Sequence, residues 1–407
     1  MTASVQRATS DAWARLERLP GLRTLGSAPF QRLIGLLLLG AGLLYLVVLL
    51  LAVDRAGGFQ IDFVAAYRRA SLDLLAGRSP YLPEQLEHAF PANGRYGWYL
   101  YPPAFAQVLT PLALLPAAVG AVAWLVLQAG MLLVATWMAA SAAGARATID
   151  RLLWTAVAVS FFLPVHEVLW TGNMGGPLAL SVGALLAVRQ SAPRDGPRPL
   201  AAGLLAGAIA VFKLSPLAWL PALVRAGGGL ARGSLLAVGG LVLASVALAP
   251  RAWSDYARVL TNLVAGDVRY PNNLAPAIVS LNLGLPAPVA DGIRVAAVVL
   301  AVVLVVASIR VARAQRGWAA AVACAVLAGL LVPAALWYHY LVLLLPLAAF
   351  VWVGGAIQTR VALLVSGALI SAGMTIPLLA AAGSAALAAT ILVESWPAGR
   401  RMDARGA

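Results

Sequence analysis

The chain has 407 residues, of which 62% are hydrophobic and 11% are charged. Soluble globular domains carry about 25% charged residues, so this composition excludes a soluble globular protein. The formal net charge is +14, but the basic residues lie in short links between apolar runs. An excess of Lys and Arg there is typical of cytoplasmic loops of membrane proteins, so the charge does not indicate a nucleic-acid partner.

Long apolar runs recur between residues 33 and 393. A helix needs about 20 apolar residues to cross a bilayer, and these runs lack the alternation of barrel strands. The pattern predicts an all-α polytopic membrane protein with about 11 or 12 transmembrane helices. We expect one transmembrane domain over residues 32–395, between an N-terminal cytoplasmic segment at residues 1–31 and a cytoplasmic tail at residues 396–407.

The arginines set the expected topology. Five of them precede the first predicted span at residues 33–53, which indicates a cytoplasmic N-terminus. Placing the later arginine clusters inside as well puts residues 54–116, 164–174, 251–294 and 335–339 and the turn near residues 373–377 outside.

The external loop at residues 54–116 carries the first chemical signal. Asp62 lies between Ile61 and Phe63 on a short amphipathic segment, just beyond the first span. Partial burial raises the pKa of a carboxyl group, which suits a general base near neutral pH. A solvated loop acid is the alternative. A carboxylate at the membrane surface, beside an aromatic and proline-rich loop, indicates chemistry on a lipid-borne substrate.

Two segments do not fit simple spans. Residues 103–116 are too short to cross, so we predict a re-entrant or surface helix there, before a span at about residues 117–141. Residues 199–224 must leave the cytoplasmic side and return. We predict a helix broken near residues 213–216, because Pro216 removes a backbone donor and kinks a helix. Non-helical backbone at membrane depth lines a cavity or is buried in protein.

Lys213 is the only lysine in the chain and follows an apolar stretch. A charge within a membrane is costly and is by default a functional-site hypothesis, although a lysine can also reach the interface and pack there. Its compact ammonium group suits a phosphate. His339 lies in an aromatic run at residues 336–340, where an interfacial aromatic belt is the alternative explanation.

No His, Cys, Asp or Glu set has zinc-ligand spacing, and no Gly-rich phosphate-binding loop is present. We therefore expect no cofactor and no metal. The single cysteine, Cys324, allows no intramolecular disulfide.

Together these motifs resemble glycosyltransferase family 87, whose members are polyprenol-phosphate-mannose-dependent mannosyltransferases and their relatives with the GT-C fold. The resemblance rests on Asp62-Phe63, residues 74–77, Pro80-Tyr81, Tyr101-Pro102-Pro103, residues 111–116, residues 212–216, Asn272-Asn273 and residues 337–340. The chain departs from the family pattern in three places. It has Gly-Asn-Met-Gly at residues 172–175 instead of Gly-Gln-x-Asn, Leu274 instead of serine, and Tyr340 instead of a second histidine.

The resemblance implies a membrane glycosyltransferase that moves a sugar, with mannose expected, from a polyprenyl-phosphate donor to a glycolipid or glycan hydroxyl. It implies a plasma-membrane protein with its active site, including the catalytic loop at residues 54–116, on the extracytoplasmic face. Asp62 would be the general base of an inverting reaction. The expected donor-phosphate ligands are Lys213, Arg68, Arg269 and His339. The expected sugar- or acceptor-binding residues are Tyr67, Tyr81, Trp98, Tyr99, Tyr101, His166, Glu167, Asn173, Asn272, Asn273 and Trp337.

The main alternative is a multi-pass transporter or a flippase for lipid-linked sugars, because a broken helix and a buried lysine also fit that class. A polar cavity near Asp62 with a lateral gap to lipid favours the transferase, whereas a midplane cavity with two gates favours transport. A non-catalytic membrane scaffold is a further alternative, which leaves the Asp62 segment unexplained.

Overall fold

The computed structural model describes residues 27–90, 97–191, 195–266, 268–270, 273–333, 335–373 and 375–396. Within these ranges the chain is helical, and the only β-type pairing is an isolated bridge between Asn273 and Trp337. The all-α prediction is therefore confirmed.

The described α-helices are α1 (Ala28–Arg55), α2 (Arg69–Leu75), α3 (Pro83–Glu87), α4 (Pro103–Ala113), α5 (Ala117–Ala142), α6 (Ile149–Phe161), α7 (Leu163–Thr171), α8 (Gly175–Ser191), α9 (Pro197–Phe212), α10 (Leu220–Ala226), α11 (Gly228–Leu248), α12 (Pro250–Ala265), α13 (Pro276–Asn282), α14 (Ala287–Val311), α15 (Trp318–Leu331), α16 (Leu344–Gly354), α17 (Ile357–Ala372) and α18 (Pro377–Ser395). A π-helix spans Asp62–Arg68, and 3₁₀ helices span Ser215–Trp219, Gln315–Gly317 and Tyr338–Leu343.

In the described part of the chain, five helices are long and apolar enough to cross a membrane, namely α1, α5, α11, α14 and α18. The α6–α7 pair is bent by 73° and makes a sixth if it is one broken span. Shorter apolar helices include α8, α9, α15 and α17. The chain is thus a multi-pass membrane protein. Among the described residues, fewer helices reach spanning length than the sequence pattern predicts.

The helix ends explain where the chain turns. α4 and α5 each follow a proline and correspond to the predicted short helix and the span after it. α9 ends at Phe212, Lys213 has extended backbone angles, and the 3₁₀ helix containing Pro216 follows. The predicted helix break is confirmed.

The region at residues 164–174 differs from the expected external turn. Its first part forms α7, which has Pro164 in its first turn, where the missing N–H costs no hydrogen bond. α7 is almost entirely buried. It ends at Thr171 and is followed by Gly172, which has a left-handed backbone with φ of 75°.

The segment before Asp62 also contains a residue with a left-handed backbone. Gln60 has a φ of 53°, the only positive value of a non-glycine residue in the described chain. Its backbone N–H donates to the carbonyl of Trp170 across 2.6 Å. The start of the π-helix therefore lies against the end of α7.

α12 is an amphipathic helix outside the spanning segments. Tyr256 and Val259 on its apolar face are buried, while Arg258 on the other face is exposed. Asp255 accepts a 2.7 Å hydrogen bond from the Ser79 hydroxyl, which attaches α12 to the segment after α2.

Candidate active site

The described residues enclose a cavity of about 530 Å³. Its wall comes from the π-helix, the loop at residues 97–102, the turn between α7 and α8, the break after α9, the apolar face of α12 and residues 332–340. These are mostly the places where regular helix stops, so their side chains and backbone can face a cavity.

Asp62 lies on one wall and is paired with Asn173. The Asn173 side-chain amide donates to Asp62 Oδ2 across 3.2 Å and to the Tyr101 hydroxyl across 3.1 Å. A carboxylate can only accept, so the NH₂ end of the amide faces Asp62. The carbonyl end, Asn173 Oδ1, is buried and has no hydrogen-bond partner among the described residues. It is an open acceptor beside the carboxylate.

The surroundings of Asp62 favour its protonated form. The carboxyl touches the cavity but is otherwise enclosed by protein, and this burial raises its pKa above the usual range. The negative charge of Glu167 acts in the same direction, while His339, the Asn173 hydrogen bond and Lys213 act against it. A raised pKa suits a carboxylate that takes up a proton near neutral pH.

Lys213 reaches the cavity from the break between α9 and the 3₁₀ helix. Its ammonium group donates to the Tyr340 hydroxyl, and it lies 3.6 Å from the centre of the Tyr340 ring and 5.0 Å from that of Tyr101. The two electron-rich rings hold the cation without neutralising it. When it is protonated, this side chain is available for an anionic ligand.

Glu167 and His339 form a second polar pair on the cavity wall. Glu167 Oε1 lies 3.7 Å from His339 Nδ1, and both side chains are buried. Glu167 Oε2 and His339 Nε2 have no hydrogen-bond partner among the described residues. Buried polar atoms are usually paired, so these open atoms indicate a polar ligand.

Most of the predicted site residues meet at this cavity. Its walls include Asp62, Tyr67, Trp98, Tyr101, Glu167, Asn173, Lys213, Trp337 and His339. The sequence placed them in four separate segments, which the fold brings together.

Six predicted residues are described but do not line the cavity, namely Arg68, Tyr81, Tyr99, His166, Arg269 and Asn273. Arg68 faces the carbonyl of Leu115, and Arg269 is exposed. His166 contacts the Ser160 carbonyl at the bend between α6 and α7. Asn272, also predicted, lies outside the described residues.

The other three hold the loops that form the cavity. The Tyr81 hydroxyl donates to the carbonyl of Tyr101 across 2.8 Å, and Tyr99 donates to Pro102 across 2.7 Å. Asn273 accepts from the backbone N–H groups of Ala275 and Leu336. These side chains bond to backbone, so the structure places them in support of the site instead of in its wall.

Several cavity residues were not singled out from the sequence. Tyr340 contacts Lys213, and Tyr256, Tyr270 and Thr171 also line the wall. For Tyr340 the available signal was its position next to His339 in a region of family resemblance. The others lie in aromatic or helical contexts that packing alone explains.

Comparison with known proteins identifies a family to which the chain is similar. A sequence model of glycosyltransferase family 87 matches residues 99–336, which is more than half of the chain. The match includes Glu167, Asn173 and Lys213, while Asp62 lies well before its first residue and His339 lies just after its last. Comparison with curated proteins and with solved structures gives no significant match. The matched residues form most of the cavity wall, and the chain therefore belongs to glycosyltransferase family 87 and is a membrane glycosyltransferase.

Proposed function

We propose that this glycosyltransferase moves a mannosyl residue from a polyprenyl-phosphate donor to a hydroxyl of a glycolipid or glycan. The reaction inverts the configuration of the anomeric carbon, and Asp62 is the general base. One observation carries the proposal: a carboxylate held by Asn173 shares a cavity with the cation of Lys213. An inverting transfer from a phosphate needs a base on one side of the sugar and a cation on the other.

The base acts on the acceptor. Asp62 takes the proton from the acceptor hydroxyl as that oxygen forms its bond to the anomeric carbon, and the bond from that carbon to the phosphate oxygen breaks. The electron pair leaves with the lipid phosphate. Positioned proton transfer of this kind contributes about 10²–10⁴-fold to a rate.

The growing charge on the phosphate needs stabilisation. Lys213 is the first candidate, since its ammonium group lies over two aromatic rings and bonds to a neutral hydroxyl. His339 Nε2 has no partner in the described chain and can donate to a phosphate oxygen when it carries a proton. Preorganised donors at a site of developing charge are usually the largest single contribution to catalysis.

The lipid tail needs an apolar path into the cavity. The cavity lining includes an apolar set, namely Leu214, Leu217, Ala218, Leu260, Leu263, Val264 and Val332. Leu217 is 41% exposed and Val264 is 68% exposed, so parts of this apolar set reach the surface of the molecule. It fits an isoprenoid chain that enters from the side.

The remaining open atoms suit sugar hydroxyls. Asn173 Oδ1 and Glu167 Oε2 are buried acceptors without a partner in the described chain, so a hydroxyl-rich ligand would satisfy them. Trp98 and Trp337 offer flat faces on the cavity wall for a sugar ring. We propose that the site lies on the extracytoplasmic face of the plasma membrane, since the arginine pattern puts the N-terminus inside.

The test is transfer by purified protein in nanodiscs, with radiolabelled polyprenyl-phosphate mannose and extracted membrane glycolipids as acceptors. Asp62→Asn should abolish transfer. Asp73→Asn is the matched control, because Asp73 lies on the same segment but pairs with Arg78 and Arg69 away from the cavity. Near-normal turnover by Asp62→Asn, with Asp73→Asn also active, would refute the assignment.

A further inference from the structure

Gln128 is a polar residue near the middle of the apolar span α5, and it is fully buried. A polar group in this position is costly unless it is hydrogen-bonded. Both ends of its amide are used, and both contact the turn that begins α8. Nε2 donates to the carbonyl of Asn173, and Oε1 accepts from the backbone N–H of Gly176 across 2.6 Å.

Two further side chains hold the same turn. Trp124, one helical turn before Gln128 on α5, donates its indole N–H to the carbonyl of Gly172 across 2.7 Å. Gln60 donates its side-chain amide to the carbonyl of Leu169. We call Gln60, Trp124 and Gln128 the turn cradle. All three are buried and none lines the cavity.

The glycines of the turn fit this cradle closely. A Cβ at Gly172 would lie 2.5 Å from Gln60 Oε1, and a Cβ at Gly176 would lie 2.2 Å from Gln128 Oε1. Both distances are shorter than van der Waals contact, so a side chain at either position would displace a cradle amide. The turn and the cradle therefore determine each other's position.

We propose that Gln128 is a positioning residue that holds the backbone of the turn so that the Asn173 side chain stays against the carboxylate of Asp62. It touches neither substrate and acts through Asn173. The inference rests on the proposed function insofar as Asp62 is the base, but the geometry it describes can be measured without any transfer reaction.

The measurable consequence lies in the titration of Asp62. Besides Asn173, the titratable groups that act on this carboxyl are Glu167, His339, Lys213 and the tyrosines Tyr67, Tyr101 and Tyr340. The hydrogen bond from Asn173 lowers the pKa of Asp62. If the turn shifts and this bond is lost, the carboxyl should titrate at higher pH.

The test is an infrared pH titration of the full-length protein in nanodiscs, in which the Asp62 band is identified by its absence in Asp62→Asn. Gln128→Met keeps the length of the side chain and removes its hydrogen bonds. In this variant we expect the titration midpoint of Asp62 to move to higher pH, in the same direction as in Asn173→Leu. The titration midpoint of the Gln128→Met/Asn173→Leu double variant should equal that of Asn173→Leu alone, because both changes abolish the same hydrogen bond between Asn173 and Asp62.

Thr136→Val is the matched control. Thr136 is buried in the same helix, but its hydroxyl donates to the carbonyl of Leu132, one turn earlier in that helix, and not to the turn before α8. This variant should titrate like the wild type. If Gln128→Met does not fold, Gln128→Asn replaces it, because a shorter amide stays polar but cannot reach both backbone groups. An unchanged Asp62 midpoint in the folded Gln128 variant, or shifts that add in the double variant, would overturn the proposal.

Activity supplies a separate readout. If the transfer reaction is as proposed, Gln128→Met should lower kcat by about 100-fold, as small misplacements of a reacting group can do, with little change in donor KM. Absence of transfer in the wild type would contradict the proposed function alone. The infrared titration would still decide the role of Gln128.

Discussion

The Asn173 side chain donates to Asp62 Oδ2 across 3.2 Å, although 111 residues separate the two in the sequence. This contact joins the π-helix after α1 to the turn between α7 and α8. It gives the proposed base a fixed partner on the wall of the cavity, and it leaves Asn173 Oδ1 buried beside the carboxylate without a partner in the described chain.

Replacing Asn173 should impair catalysis. Asn173→Leu removes a hydrogen bond to a charged group, a contact worth about 1.5–3 kcal/mol, so we expect a roughly tenfold to hundredfold loss in kcat/KM. The measurement is steady-state transfer kinetics. Asn282→Leu, a change at an exposed position outside the cavity, should retain activity. A rate close to that of the wild type in Asn173→Leu would argue against the pairing.

The pH profile should report the state of Asp62. Burial raises the pKa of this carboxyl, and a general base must be ionised, so kcat/KM should be high above this pKa and fall as the pH drops through it. The acid limb should therefore lie above the ordinary aspartate value of about 3.9. Rates measured across the acid and neutral range test this. An acid limb at the ordinary value would contradict the buried position of the base.

Asp62 should also lower the stability of the protein at neutral pH. A carboxyl whose folded-state pKa is raised disfavours folding above its unfolded-state pKa, because the fold must hold the charged form. Asp62→Asn should therefore raise the thermal unfolding temperature at pH 7, and the difference should shrink as the pH falls below both pKa values. Asp73→Asn loses ion pairs with Arg69 and Arg78 and should not be stabilised. A lower unfolding temperature in Asp62→Asn would show that its contacts outweigh its burial.

Lys213 should act on the donor. Lys213→Met removes the cation while keeping most of the side-chain volume, and we expect the donor KM to rise about tenfold to hundredfold. Because charge on the leaving phosphate grows in the transition state, kcat should fall as well. Arg232→Met removes an exposed cation that pairs with Asp195 and should leave both constants unchanged. An unchanged donor KM in Lys213→Met would count against contact with the phosphate.

Gly172 should tolerate no side chain. Gly172→Ala combines a left-handed backbone with a Cβ that lies 2.5 Å from Gln60 Oε1. Gly57→Ala is the matched control, since Gly57 has a similar φ of 70° but no atom within 4 Å of the added Cβ. The free energy of unfolding of the control should fall by about 1–2 kcal/mol, because of the backbone conformation alone. That of Gly172→Ala should fall further, and this variant should also lose activity. Thermal unfolding in detergent measures the difference. Equal losses of stability in the two variants would mean that the turn accommodates the added methyl group at no extra cost.

The sequence predicts those parts of the site that have local signals. Hydropathy places the first span, and the amphipathic segment after it points to Asp62. Pro216 indicates the helix break near residues 213–216, which the structure confirms. In each case the physical cause lies within a few neighbouring residues.

Features that depend on distant contacts could not be predicted. Gln128 and Asn173 meet because α5 packs on α8, and neither segment alone indicates the other. Tyr81, Tyr99 and Asn273 are polar residues of the same types as true cavity residues. Their hydrogen bonds to backbone groups, visible only in the fold, identify them as supports.

The arrangement of the turn cradle separates two properties of the protein. It holds the backbone around Asn173 from the buried side, whereas Trp98 and Trp337 pack on other aromatic rings along the cavity wall. If the two tryptophans bind the sugar or the acceptor as proposed, substitutions there should change which molecules fit without moving the carboxylate. During evolution, preference for a sugar or acceptor can drift on such a scaffold while the reaction itself is retained.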